Sequence, residues 1–228
     1  MKCCILILFV LLSGWTSAQD EEAILKKVKA KLDRVSDYQA KGTMNVDVSF
    51  INAPKSGVAV FYKKPDRFRI NKSGGISLLP KGGLSINMGS LLGASNYTTV
   101  PAGTAMVKGI SARVLKLLPL EENSDVVLTT LYVDVPNALI LKAAVTTKEN
   151  GSYELDMDYG KYASWGLPDK VNFTFNTKDY KLPKGITFEY EKGDKKAAAP
   201  MKAKKGRIEI NYSSYIINKG VDDAVFKK

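Results

Sequence analysis

The chain has no histidine, and its only two cysteines, Cys3 and Cys4, stand at the very start of its 228 residues. Without histidine, Ser-His-Asp and Cys-His relays have no base, and His-ligated zinc, copper and non-haem iron sites are excluded. No GxGxxG or P-loop pattern is present to hold a nucleotide. The longest apolar run, Ile5 to Leu12, is far short of the roughly 20 residues that a membrane-spanning helix needs. Carboxylate-only catalysis survives these exclusions. Asp156 and Asp158 share one strand face about 7 Å apart, which reads first as a solvated polar face.

What is there begins with an export pattern. Lys2, the Ile5–Leu12 run and the small residues Ser13, Gly14, Thr16, Ser17 and Ala18 have the three parts of a secretory leader, with cleavage expected after Ala18. A lipoprotein leader would place a cysteine directly after the apolar run, whereas here both cysteines precede it. The expectation is residues 1–18 as leader and residues 19–228 as one domain, unlipidated, soluble after cleavage and periplasmic, with no disulfide and no thiol nucleophile. The net charge of +11 is spread over polar faces and turns and is not gathered with aromatics, which argues against a nucleic-acid partner.

Ile24, Leu25, Val28, Leu32 and Val35 make one helical stripe, with Asp20 placed to cap the helix start and Glu21 and Glu22 where its dipole favours anions. The period then drops to two. Met44, Val46, Val48 and Phe50 alternate with polar residues. Val58, Val60 and Tyr62 follow, then Phe68 and Ile70. Later alternations are Leu131, Val133, Val135; Leu139, Leu141, Ala143, Val145; Tyr153, Leu155, Met157, Tyr159; Val171, Phe173, Phe175; Ile186, Phe188, Tyr190; and Ile208, Ile210, Tyr212. Turn residues separate them, as at Pro136-Asn137, Glu149-Asn150-Gly151 and Gly166-Leu167-Pro168-Asp169. The pattern predicts a mainly β domain of about nine antiparallel strands with one N-terminal helix.

Two segments depart from alternation. Residues 73–107 carry a single charge, Lys81, and offer Leu78, Met88, Leu91 and Leu92 among many glycines. They read either as two buried strands or as a flap over a cavity. Lys192 to Lys205, rich in lysine and alanine, reads as an exposed insertion.

One helix cannot cover so many strands, so the sheet must fold into a sandwich or curl into a barrel. A curled sheet leaves interior room, which Met44, Phe50, Phe61, Phe68, Met88, Met157, Phe173, Phe175 and Phe188 would line; a fully packed sandwich is the alternative. Val46, Val48, Ile70, Leu78, Leu91, Leu92, Leu131, Val133 and Leu155 complete the candidate lining.

The words Leu32-Asp33-Arg34-Val35-Ser36-Asp37-Tyr38 and Lys63-Lys64-Pro65-Asp66-Arg67-Phe68-Arg69-Ile70 resemble the opening of the LolA/LolB family of lipoprotein carriers. Residues 109–175, with Leu117-Leu118-Pro119, and the ending Val221 to Phe226 resemble its lipoprotein-sorting branch. The resemblance implies an open, curved antiparallel half-barrel with a helical or loop lid. Its hydrophobic cavity would take the acyl chains of lipids or lipoproteins. No catalytic residue, metal or cofactor is implied, and the partners are a membrane, a transporter or an acceptor, met transiently by a monomer in outer membrane biogenesis. The same fold also serves as a lipid-sensing module of the MucB type. Family members place an arginine before the proline of the second word, where it helps control the lid. Lys64 stands there in this chain, without arginine's planar fork of donors.

Overall fold

The structure, a computed structural model, describes residues 16–48, 51–65, 67–72, 92, 96–149, 151–176 and 205–227. A helix, α1 (Thr16–Asp33), leads into ten strands. They are β1 (Asp37–Val48), β2 (Ile51–Lys63), β3 (Arg67–Lys72), β4 (Tyr97–Val107), β5 (Ile110–Pro119), β6 (Val126–Asp134), β7 (Leu139–Thr147), β8 (Ser152–Asp158), β9 (Lys170–Asn176) and β10 (Lys205–Ile217). All lie in one antiparallel sheet, ordered β3-β2-β1-β10-β9-β8-β7-β6-β5-β4. β3 and β4 do not pair, so the sheet curves without closing and keeps two edges. The fold is the open half-barrel expected.

Within β1–β3 and β4–β9 successive strands are joined by short connections and pair. The β4–β5 hairpin turns on Lys108 (φ 51°) and Gly109 (φ 81°), the left-handed pair that matches strand twist. The strands form two meanders, β1–β3 and β4–β10, which β10 joins by pairing with β1 as well as with β9; only the step from β3 to β4, at opposite edges, leaves neighbour order. Register shifts at Lys41/Gly42, Met44/Val46, Pro101/Thr104, Val126/Leu128 and Tyr132/Val133 interrupt the ladders, and such bulges bend and twist a sheet.

The core lies between α1 and one face of this sheet. Ile24, Leu25 and Val28 of α1 belong to the same buried cluster as Met44, Val60, Leu115, Leu131, Phe173 and Ile210. Each such side chain contributes about 1.5–3 kcal/mol when fully buried.

Five expectations need correction. There are ten strands among the described residues, since uncharged Tyr97–Val107 forms β4 and is no part of a flap. The rest of that segment, Leu92 and Asn96 apart, lies outside the described residues, as do residues 177–204 with the expected Ile186–Tyr190 strand. α1 begins at Thr16, so Asp20 sits inside the helix and does not cap it. Phe61 is on the outer face: β2 turns Val58, Val60 and Tyr62 inward, and strict alternation sends Phe61 the other way. Leu141 leaves the main core for a small cluster with Val107 and Ala112, because the shift at Tyr132/Val133 breaks the β7 alternation.

Candidate functional site

Strand register assembles the inner face into rows. One runs Val46, Ile208, Phe173, Leu155, Ala143, Leu131, Leu115, with each residue opposite the next on seven consecutive strands. All seven are buried. The adjacent row runs Gly206, Phe175, Tyr153, Val145, Thr129, Leu117, its polar side-chain atoms being the Tyr153 phenol and the buried hydroxyl of Thr129. A third, Met44, Ile210, Val171, Met157, lies on the other side of the first. Cross-strand aromatics stack where two rows meet: Phe173 and Phe175 are 5.2 Å apart, and Tyr153 and Phe173 are 5.3 Å apart. Gly206 makes room for this. A Cβ there would come within 2.5 Å of the Phe175 ring.

Of the candidate lining, Met44, Val46, Leu92, Leu131, Val133, Leu155, Met157, Phe173 and Phe175 are buried in this one core, and Phe68 and Ile70 pack half-buried against it. Val48 belongs to β1 by its backbone alone. Phe50, Leu78, Met88, Leu91 and Phe188 lie outside the described residues.

Towards the end of the sheet where β1 begins, the face turns from phenylalanine to tyrosine. Tyr38, Tyr62, Tyr212, Tyr215 and Tyr162 form a chain of ring contacts with centroids 4.8–5.4 Å apart. The Tyr215 hydroxyl donates to the Pro168 carbonyl at 2.8 Å. Burial pushes the Tyr38 and Tyr215 phenols well above their usual range, so both are neutral donors. Burial likewise lifts Tyr153, to about 12. Sequence periodicity missed this cluster because Tyr212 and Tyr215 are three apart, which does not read as one strand face.

At the same end a cavity of about 620 Å³ opens between the C-terminal part of α1, the β4–β5 and β6–β7 hairpins and the β8–β9 connection. Its apolar wall is Val107, Ile110, Leu139, Leu141 and Met157, and its polar wall includes Lys31, Lys108, Asp134 and Asp158. Lys108 pairs with Asp158. Lys31 donates to the carbonyls of Asn137 and Ala163.

α1 is fastened unevenly. At its C-terminal end Lys64 donates to the Asp33 carbonyl at 2.6 Å and to its carboxylate at 3.2 Å, capping the orphan carbonyl end of the helix. Burial works to raise the Asp33 pKa, but hydrogen bonds from Lys64 and Lys29 outweigh it and hold it below the usual value. Arg34 lies 4.8 Å over the Trp165 ring, and Asn218 bridges the exit from α1 by accepting from Ser36 N and donating to Arg34 O, both at 2.8 Å. Toward its other end, the one polar tie of α1 to the sheet among the described residues is the contact between Glu21 and Arg113 of β5, at 3.5 Å.

No protein-family model matches the sequence, and no curated protein does either. Solved structures share the fold. A domain from Vibrio parahaemolyticus described as an outer membrane lipoprotein-sorting protein matches with a TM-score of 0.58 at 13% identity, covering 92% of this chain and 97% of that one. A LolA superfamily protein from Nitrosomonas europaea matches at 0.54 and 11% identity, covering 91% and 97%. A DUF1329 family protein from Desulfovibrio piger matches at 0.53 and 11%, covering 90% and 96%. The LolA-like fold therefore spans nearly the whole chain.

Proposed function

We propose that this protein is a periplasmic carrier or binding protein that shelters the acyl chains of lipids or lipoproteins on the inner face of its half-barrel. One observation carries the reading: an uninterrupted apolar row crosses seven strands, while among the described residues a single α-helix lies over the sheet. Exposing one typical acyl chain to water costs on the order of 10 kcal/mol. A face of Phe, Leu, Met and Val removes most of that cost and needs no catalytic residue. The shared fold with a lipoprotein-sorting domain and a LolA superfamily protein supports the same reading.

In this reading α1 is the cover. Lys64 anchors its C-terminal end, taking the place of the arginine in the family whose opening words this chain resembles, and the N-terminal half is the part that moves. No helix among the described residues is long and apolar enough to cross a membrane, which fits a protein that meets membranes or a partner transiently.

The test is direct binding. Delipidated protein should take up a fluorescent fatty acid or a lipopeptide. Phe173→Asp should abolish uptake while circular dichroism still shows the native sheet, and Phe173→Ala, a milder change at the same site, should weaken it. A folded wild-type protein that binds neither probe, or a folded Phe173→Asp protein with unchanged affinity, overturns the proposal in favour of a packed scaffold.

A further inference from the structure

Glu21 has the most costly environment of any carboxylate on α1. Its side chain is 2% exposed. One oxygen, Oε1, lies 3.5 Å from Arg113 Nε, longer than a good N–H···O hydrogen bond. The other, Oε2, is buried with no hydrogen-bond partner among the described residues. A charge in that state forfeits solvation without full repayment, and a single long contact does not make up the difference. Its surroundings offer little help. β4, the strand against which α1 packs, carries no charge, and its only titratable group, Tyr97, faces Lys29 and Glu22. β5 contributes Arg113, and on α1 itself the neighbouring Asp20 repels the carboxylate.

We infer that Glu21 and Arg113 form a deliberately weak, proton-sensitive clasp that sets how readily the N-terminal half of α1 lifts from β4 and β5. This deepens the reading of α1 as the cover of the inner face, and rests on it for its role in ligand entry. Lifting the helix returns the Glu21 carboxylate to water and frees Arg113, whose side chain is already 37% exposed. The four polar ties at the C-terminal end, made by Lys31, Arg34, Lys64 and Asn218, stay in place, so that end acts as the pivot.

The sign follows from burial. Desolvation, partly offset by Arg113, raises the Glu21 pKa in the seated helix. The seated state therefore binds the proton more tightly than the lifted one, and lowering the pH seats the helix. The absence of histidine sharpens this. No side chain in the protein ordinarily titrates between pH 5 and 8, so a pH response of α1 in that range comes from a displaced carboxylate or from an α-amino group, which ordinarily titrates at about pH 8 and which Glu21→Gln leaves in place.

Hydrogen exchange on the empty protein tests the clasp without any lipid. Protection factors, corrected for intrinsic exchange, are read over residues 22–28, with 129–134 of β6 as the internal control. In the wild type, protection of 22–28 should be about threefold or more greater at pH 5 than at pH 8. Glu21→Gln should hold the higher protection at both pH values, and Arg113→Met should widen the wild-type difference by leaving the carboxylate alone. Equal wild-type protection at the two pH values overturns the clasp. So does a folded Glu21→Gln protein less protected than wild type at pH 8, since that would make the charged pair a net stabiliser. Lipid binding is scored separately: a protein that binds no fatty acid but shows the pH response refutes the carrier and keeps the clasp.

Discussion

The two edges of the sheet are guarded in opposite ways. At β3 the guard is charge. Asp223, in the C-terminal 3-10 turn Asp223–Phe226, pairs with Lys63 and with Arg67 at 2.8 Å, and Arg69 donates to the carbonyls of Val225 and Lys227 at 2.8 and 2.6 Å. The Arg67 guanidinium also sits 5.5 Å over the Phe226 ring. At β4 the strand has no charge, and α1 lies against it, seated by Ile24, Leu25 and Val28 with Glu21 and Arg113 as its polar tie to the sheet. Exposed charge deters edge-to-edge pairing and its contacts persist loosely in water. An apolar helix over an uncharged edge is worth more when seated and exposes more when lifted. On the proposed reading the helix side opens as one amphipathic body, whereas the β3 side frays contact by contact.

The largest effect should come from the helix side. Leu25→Ala removes a side chain that is 3% exposed and should cost about 2–5 kcal/mol in urea-induced unfolding. It should also raise amide exchange along β4 while leaving β3 unchanged. Equal deprotection of both edges would mean that α1 stabilises the sheet globally and does not guard one edge.

A smaller effect belongs to the pivot. Lys64 and Asp33 are both more than a third exposed, so Lys64→Ala should cost only a few tenths of a kcal/mol. The pH dependence has a definite sign. Because the Asp33 pKa is held below its ordinary value of 3.8, the stabilisation is present above that value and fades as the pH falls through the lowered one. Wild type and Lys64→Ala should accordingly differ in stability near neutral pH and converge in strong acid. Curves that stay parallel to the lowest pH would remove Asp33 from the pivot.

The smallest effect is expected at the charged edge. Asp223→Asn should leave global unfolding unchanged and raise exchange only in β3, an increase that salt should mask because the group is open to solvent. A measurable shift in the unfolding midpoint would show that the C-terminal turn does more than blunt the edge.

Much of this architecture was legible from alternation alone. The strands β6, β8, β9 and β10 were visible as Leu131/Val133, Leu155/Met157, Phe173/Phe175 and Ile208/Ile210, because a half-buried strand must keep one apolar face. β4 was not. Its exposed, uncharged residues show little period, since an edge strand with a helix over part of it has no consistently buried face. Leu141 was misread for a related reason: a bulge adds one residue and reverses the faces beyond it, and nothing in Leu139 to Val145 announces it. Phe61 was assigned inward for its size, where period two should have overruled size.

The sequence by itself determined a helix followed by antiparallel strands, the apolar set on their inner faces, and the exclusion of histidine and thiol chemistry, because these depend on local period and residue type. Tertiary structure alone decided that the sheet stays open and that β10 threads between β9 and β1, because strand order depends on which distant edges meet. It also decided that Glu21, a residue that reads as an ordinary acid on a helix dipole, is buried beside Arg113 of β5 with one oxygen unpartnered among the described residues. Ninety-two positions separate those two residues, and no local pattern connects them. Only the curvature that brings β5 under the helix turns a surface-type acid into a buried one.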